Sequence, residues 1–433
     1  MSPPSARDAR MTSAAPRPRS PADVDLTDHN AFAAAVPYAG FDLLRREAPV
    51  HWHPEPGGPG FWAVTRYDDV VAVSRDTATF SSETGASALE DLAPDALEAR
   101  KSMIDMDPPG HTRLRRIVTP AFTRRAVAAY EPRLRELTRV VIDRAVEVGE
   151  FDAVTAVAAA VPIQILCELL GVPAEDQDTM IELADRMIAN TDPDFTDVLL
   201  DGADSERYRL LPFRSPAALD MFAHSRRLTT ERRAAPRADL MSRIVGAEVD
   251  GRRLSQREID AMFLLLVVAG NETTRQAIAL GLLALLERPE QLDRLRAADP
   301  TEAAVAVEEV LRWSTPLHHF RRTATCDVEL RGQRIRAGDK VVIWYTSANR
   351  DEEVFADPYR FDIRRQPNNH LAFGRGGPHR CLGEHLARLE IRVVFEELLA
   401  RVDQIESTGP AVRIRSNFTN GMKRLPVRVC PRH

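Results

Sequence analysis

Phe373-Gly374-Arg375-Gly376-Gly377-Pro378-His379-Arg380-Cys381-Leu382-Gly383 is the stretch that decides how this chain is read. It is a glycine-rich loop carrying a single thiol, and Leu382, Leu386, Leu389 and Val393 follow at three- and four-residue spacing. That spacing predicts an amphipathic helix beginning at the cysteine, with an N-terminal dipole that lowers the thiol pKa. The glycines let the backbone approach a flat group, and amides aimed at the sulfur would tune its charge. A lone thiolate on haem iron pushes electron density toward cleavage of the oxygen–oxygen bond, which is the chemistry of oxygen insertion.

The rest of the composition sets bounds around that loop. With 433 residues and 44% hydrophobic content the chain can bury a large core, and its formal charge of -6 argues against general nucleic-acid binding. The apolar run 261–270 is broken by Asn271-Glu272-Thr273-Thr274-Arg275-Gln276, well short of the roughly 18 to 20 residues that span a bilayer, so no membrane span is expected. Residues 1–24 carry Pro3, Pro4, Pro16, Pro18 and Pro21 without an apolar segment. They read as a disordered tail and not as a signal peptide, leaving 25–433 as one domain. Cys167, Cys326, Cys381 and Cys430 show no paired spacing, which fits a reducing cytoplasm; Cys167, inside an apolar run, reads as a core residue. Only Lys101, Lys340 and Lys423 are lysines among 58 basic residues, a bias expected of GC-rich bacterial coding.

Val50-His51-Trp52-His53 and Phe61-Trp62-Ala63-Val64-Thr65 flank a Pro/Gly-rich turn and predict a β-hairpin. From Arg113 to about Ala400 the periodicity is mainly helical, with stops at Gly171-Val172-Pro173 and Arg288-Pro289. A second β-rich patch is expected at 328–330 and 341–344, and the charged, proline-rich stretch 192–237 reads as a mobile lid. In the long apolar helix, Glu272 and Thr273 are polar where the surroundings should be buried, a costly placement without a partner or a task. The Thr273 hydroxyl can compete for the carbonyl one turn earlier, and with Gly270 nearby the helix could open to admit dioxygen and water. A helix with one solvated face is the plainer alternative for this motif standing alone.

The cysteine loop and the Ala269-Gly270-Asn271-Glu272-Thr273 run together resemble the cytochrome P450 family, with motifs in the family's order over nearly the whole chain after the tail. The resemblance implies a mainly α fold with a smaller β region, haem b held between the Glu272-Thr273 helix and the cysteine helix, and Cys381 as axial thiolate. It implies that Glu272 and Thr273 manage protons for dioxygen reduction. Haem carries two propionates, and His111, Arg115, Arg322 and His379 fall at the family's cationic positions. Phe373, Gly374, Gly383, Ala269 and Gly270 would touch the cofactor. Leu265, Val268, Ala269, Leu317, His318 and Phe418 would face substrate, and their apolar character favours a hydrophobic one. Glu309, Arg312 and Arg360 match a structural Glu-x-x-Arg network; alone, the first two would read as a surface pair.

Cys381 lies eight positions after Phe373, where the commonest family pattern has seven, and Gly376-Gly377-Pro378 absorbs the extra residue. The longer loop, with 416–421 near the end, is similar to that of bacterial members acting on sterol side chains, branched lipids or terpenoids. Hydroxylation of a carrier-tethered amino acid, a peroxide-driven hydroxylase, and a haem protein without enzymatic activity are the alternatives. A zinc reading of His370, His379, Cys381 and His385 fits no compact zinc spacing and leaves the distant Glu272-Thr273 motif without a purpose. With no reductase region in the sequence, electrons are expected from a ferredoxin and its reductase, docking by charge on Arg113, Arg116, Arg124, Arg125, Arg375 and Arg380.

Overall fold

The computed structural model describes residues 18–87 and 89–432. Most of the expected tail therefore lies outside the described residues. Its end does not continue as a tail: Pro21–Asp23 forms a helical turn behind Ser20, and Val24 is buried against Gly40.

Nine helices carry the site: α1 (Tyr67–Arg75), α2 (Gly110–Val118), α3 (Arg124–Val148), α4 (Ala160–Leu170), α5 (Gln177–Ile188), α6 (Ala217–Ala234), α7 (Gln256–Leu286), α8 (Pro300–Ser314) and α9 (Glu384–Arg401). α7 is the axle. Its start is fixed by a capping box, with Ser255 Oγ accepting from the Glu258 amide and the Glu258 carboxylate accepting from the Ser255 amide at 2.7 Å. Such a box contributes about 1 kcal/mol. Over 31 residues, about 46 Å of rise, the helix becomes apolar on nearly every side, and it packs against α4, α5, α6, α8 and α9. α4 stops at Gly171, whose φ of 75° suits glycine and whose added Cβ would lie 2.2 Å from the Asp239 carboxylate. Pro289 opens the next helix at its first turn, as its missing amide allows.

The hairpin forms as expected: β1 (Val50–His53) pairs antiparallel with β2 (Phe61–Val64), Val50 opposite Val64. With β3 (Phe80–Ser81), β4 (His319–Ala324) and β5 (Lys340–Trp344) it makes one sheet in the order β1-β2-β5-β4-β3. The expected second patch is thus divided. β5 joins the hairpin's sheet, running parallel to β2, while 328–330 pairs separately with Gln333–Ile335. β4 reads poorly as a strand because Arg321 and Arg322 occupy it, yet both are buried. A further small sheet joins the chain end, Pro426–Pro431, to Val402–Ser407 and Glu150–Asp152.

The expected lid at 192–237 is a different kind of structure. Asp192 is fully buried, accepting from the Lys423 ammonium at 3.0 Å and the Arg415 amide at 2.9 Å, and most of the segment's second half is α6. A buried, doubly paired carboxylate pins this region to the chain end.

Candidate active site

Cys381 sits at the floor of a cavity of about 1360 Å³, part of it open to solvent. Its amide donates to the Phe373 carbonyl at 2.8 Å, closing the loop on itself. The helix begins three residues later than the leucine spacing predicts, at Glu384, with Gly383 as its cap. Burial pushes the thiol up to about 11, with Glu384 adding to the rise; the Gly383 amide and Arg115 act against it. Burial thus outweighs the lowering that the backbone amide at the helix start provides. A coordinating cation would overcome that burial, because it deprotonates a bound thiol outright. The paired glycines of the lengthened loop have a local reason. A Cβ on Gly377 would lie 1.9 Å from the Ser74 carbonyl, and one on Gly376 (φ 84°) would strike the Arg75 side chain, so the lengthened loop lies directly on the end of α1.

Facing this loop, α7 presents Leu265, Ala269, Gly270 and Thr273 to the same cavity. The helix runs through the motif unbroken, and Thr273 Oγ1 donates to the Ala269 carbonyl at 2.9 Å. Glu272 is turned away from the cavity. Its carboxylate accepts from Gln276 at 2.6 Å and from Arg275 at 3.3 Å, and Arg275 is shared with Asp185 of α5. Burial, reinforced by the charge of Glu272 and opposed by Arg275, raises Asp185 to about 7. Two carboxylates thus share one buried guanidinium. Asn271 beside them is fully buried, and neither end of its amide has a partner among the described residues.

His111, Arg115 and His379 line one edge of the cavity, and Arg322 lies behind them, its charge acting on His379. The His111 and His379 rings lie 4.4 Å apart, and His379 Nε2 is 3.2 Å from Ser82 Oγ. Arg115 donates to the Pro378 carbonyl at 3.2 Å and the Arg380 carbonyl at 2.6 Å, tying α2 to the cysteine loop. Arg322 is 2% exposed, and its guanidinium finds only the Arg321 carbonyl at 2.7 Å. Burial and the neighbouring arginines push His111 down to about 4 and His379 down to about 3. Among the described residues, His111 Nδ1 and Arg322 Nε have no hydrogen-bond partner. Orphaned buried donors around a repelled pair of imidazoles are what an anionic group would satisfy. These donors, the thiol and a largely apolar cavity between them fit haem with its two propionates.

Three residues expected to face substrate lie outside the cavity lining. Val268 is buried in the helical core on the other side of α7. His318 is fully buried beneath the sheet, its Nδ1 2.7 Å from Thr346 Oγ1 and its ring 4.8 Å from that of Phe32. Phe418 packs edge-on against His319 and Phe320. Leu317 does line the cavity, as the isolated bridge Leu317–Thr419 draws the 416–421 turn toward it. Sequence reasoning missed Met103, Ile104, Phe320, Tyr345 and Glu390, all in the lining. Met103 and Ile104 precede the Asp107-Pro108-Pro109-Gly110-His111 motif closely enough to have been inferred. Glu390 looks like a charged helix position and gives no such signal, yet it is buried, touches Thr274, and is raised well above the usual carboxylate range by burial.

The structural network also differs in one member. Arg312 forks onto Glu309 with both bonds at 2.8 Å and both side chains fully buried. Arg365, not Arg360, is the second guanidinium on Glu309, at 3.2 Å; Arg360 contributes its backbone carbonyl, and its side chain is exposed. His370, one of the zinc-competent residues, is engaged instead by Glu308 at 3.0 Å.

A sequence profile described as Cytochrome P450 matches residues 50–299 and 303–422. A methyl-branched lipid omega-hydroxylase of Mycobacterium tuberculosis is 42% identical over 431 residues, covering 97% of this chain and 98% of that protein. A steroid C26-monooxygenase of Mycolicibacterium smegmatis is 36% identical over 418 residues, covering 94% of each. Among solved structures, a Mycobacterium marinum cytochrome P450 in complex with pseudoionone superposes with a TM-score of 0.86 at 40% identity, covering 96% of this chain and all of that one. Profile, length and architecture agree along the chain, and the protein belongs to the cytochrome P450 family of haem-thiolate monooxygenases.

Proposed function

We propose that this monooxygenase hydroxylates an unactivated carbon–hydrogen bond near the end of a long, branched hydrophobic molecule, of the methyl-branched lipid or sterol side-chain class. The observation that carries the reading is the cavity wall. Leu265, Leu266, Leu317 and Phe320 converge above Cys381, with the Thr273 hydroxyl as the polar group at the reacting end. An apolar chain satisfies such a wall, and a charged amino acid does not. The names of the two curated relatives support the same class.

When bound, haem supplies dioxygen activation, so that one oxygen atom enters the carbon–hydrogen bond and the other leaves as water, consuming two electrons and two protons. Cys381 holds the iron. His111, Arg115, Arg322 and His379 hold the propionates. Thr273 positions a proton over the floor of the cavity, and Glu272, joined to Asp185 through Arg275, supplies it through water beside Asn271. Electrons arrive from a ferredoxin on the cysteine side, where Arg116, Arg124, Arg125 and Arg375 are exposed; Arg113 is already paired with Asp250 at 2.8 Å and Arg380 with Glu384 at 2.7 Å. Four free cysteines fit a reducing compartment such as the cytoplasm.

Thr273→Ala tests the proton role: coupled product formation falls by on the order of 10²-fold while peroxide release rises. Unchanged coupled turnover would remove Thr273 from the mechanism. Spectral titration tests the substrate class. Branched fatty acids and sterols should displace the iron-bound water and shift the Soret band, and a response confined to carrier-bound amino acids would overturn this reading.

A further inference from the structure

A second cavity, of about 790 Å³ and part of it open to solvent, lies where helix Pro289–Arg296, α8 and the second half of α9 come together. It shares no lining residue with the cavity over Cys381. Three alanines keep it open. Ala298, before α8, and Ala303 and Ala306 on it stand where packed helices ordinarily interlock larger side chains, while Val307, Val310, Phe395 and Leu399 give the floor. That floor rests directly on α7: a Cβ on Gly281 would lie 2.6 Å from Val310 Cγ1 and 3.1 Å from Phe395 Cζ. Helix contacts are usually closed to crystal-like density, so an opening between three helices forfeits contacts that an apolar guest would restore.

The charges around this cavity are unequally placed. Arg392 is spent within the protein, paired with Glu131 at 2.8 Å and with Glu396 at 2.9 Å. Arg432 stands at the solvent edge, 3.5 Å from Asp403. Arg296 is the exception. It is half-buried, its Nη1 donates to the Leu399 carbonyl at 3.0 Å and to the Val402 carbonyl, and among the described residues no carboxylate pairs with it. Those carbonyls lie at the end of α9, so the opposing charge is only the partial one of a helix C-terminus. Nε and Nη2, the side-on edge of the guanidinium, make no bond among the described residues. A carboxylate can accept from both in parallel.

We propose that this cavity is an accessory binding site for a fatty-acid carboxylate, with the alkyl chain on the Ala303, Ala306, Val310 and Phe395 surface and the carboxylate on the Nε–Nη2 edge of Arg296. The chemistry selects that class. An inorganic anion leaves the apolar floor bare, and a neutral alcohol or hydrocarbon leaves the guanidinium edge unused. A phosphate monoester brings two charges to a site with one to spare. The site is separate from the one over Cys381, and the inference stands whatever the substrate proves to be.

The experiment is photolabelling of the haem-loaded protein with a diazirine analogue of dodecanoic acid and, in parallel, of dodecanol, followed by mass spectrometry of the labelled peptides. The acid should label segments 289–310 and 391–401 as well as residues over Cys381, whereas the alcohol should label only the latter. Arg296→Gln should weaken labelling of 289–310 by about 10-fold, as expected for loss of a charge-assisted bond pair. Ala306→Phe, which fills the space, should abolish it, and Arg296→Lys, which keeps the charge, should retain part of it. Labelling over Cys381 should be the same in all three variants, which a general loss of fold would not allow. Equal labelling of 289–310 by acid and alcohol, or labelling unchanged by Arg296→Gln, overturns the carboxylate assignment; no labelling there overturns the site. Protein that sediments as a dimer, becomes a monomer with Ala306→Phe and takes no label there assigns the cavity to a second copy and overturns the proposal as well. Absence of label over Cys381 counts against the substrate reading alone.

Discussion

The cavity has two walls built on opposite principles. Beneath Cys381, fixed geometry comes from buried contacts: Glu309 and Arg312 fully enclosed, the loop pressed on the Ser74 carbonyl, and Arg115 tied to two loop carbonyls. Leading up to Met103 and Ile104 in the lining, the stretch from Glu90 to Ser102 buries one apolar residue and depends on partly exposed ion pairs. The difference follows from the tasks. A metal ligand must not wander, whereas a hydrophobic guest must be let in and product let out.

Damage to the first wall should be severe. Cys381→Ser removes the thiolate, and the carbon monoxide complex of the ferrous protein should lose the red-shifted Soret band along with hydroxylation; retention of that band would remove Cys381 as ligand. Arg312→Leu removes the bidentate partner of buried Glu309, leaving it Arg365, the Asp362 amide and Asn368, and should cost about 3–5 kcal/mol in denaturant unfolding. A loss under 1 kcal/mol would mean the wall is not rigid in the sense argued. The middle of α7 is intermediate. Asp185 is raised in the fold from 3.8 to about 7, so it retains a proton that the unfolded chain has lost. Its contribution is fully present below pH 3.8 and is lost as pH rises through about 7. Melting temperature should therefore show a decline across that window that Asp185→Asn abolishes. The smallest effect belongs to the second wall: Glu98→Gln should change unfolding free energy by about 0–1 kcal/mol. A larger cost would erase the contrast between the walls.

The legible parts of the molecule were those where one residue type answers one demand. A thiol after a run of glycines, a hairpin around a Pro/Gly turn, and an acid and alcohol inside an apolar helix each have few physical explanations. What sequence could not resolve was direction. Glu272 was read correctly as a buried acid, yet its rotation toward Arg275 depends on Asp185, which is 87 positions earlier in the chain. His318 and Leu317 are neighbours, and only the pairing of β4 with β5 sends one into the core and leaves the other at the cavity. The helix start moved from Cys381 to Glu384 because leucine spacing reports a face and not a first hydrogen bond. A lid at 192–237 was expected wrongly because charge and proline mark a segment as polar without saying whether its charges are buried. Asp192 is buried, whereas acids such as Asp95 are partly solvated.

Gln276 carries a consequence of its own. Its amide nitrogen donates to Glu272 at 2.6 Å while its oxygen accepts from the Met422 amide at 2.7 Å, and Gly421 packs so closely that a Cβ there would lie 2.3 Å from Gln276 Cδ. One rigid amide therefore measures the distance between the carboxylate and the turn that brings Thr419 to Leu317. A displacement of this turn therefore also displaces the donor on Glu272, so the chain end and the middle of α7 cannot move independently.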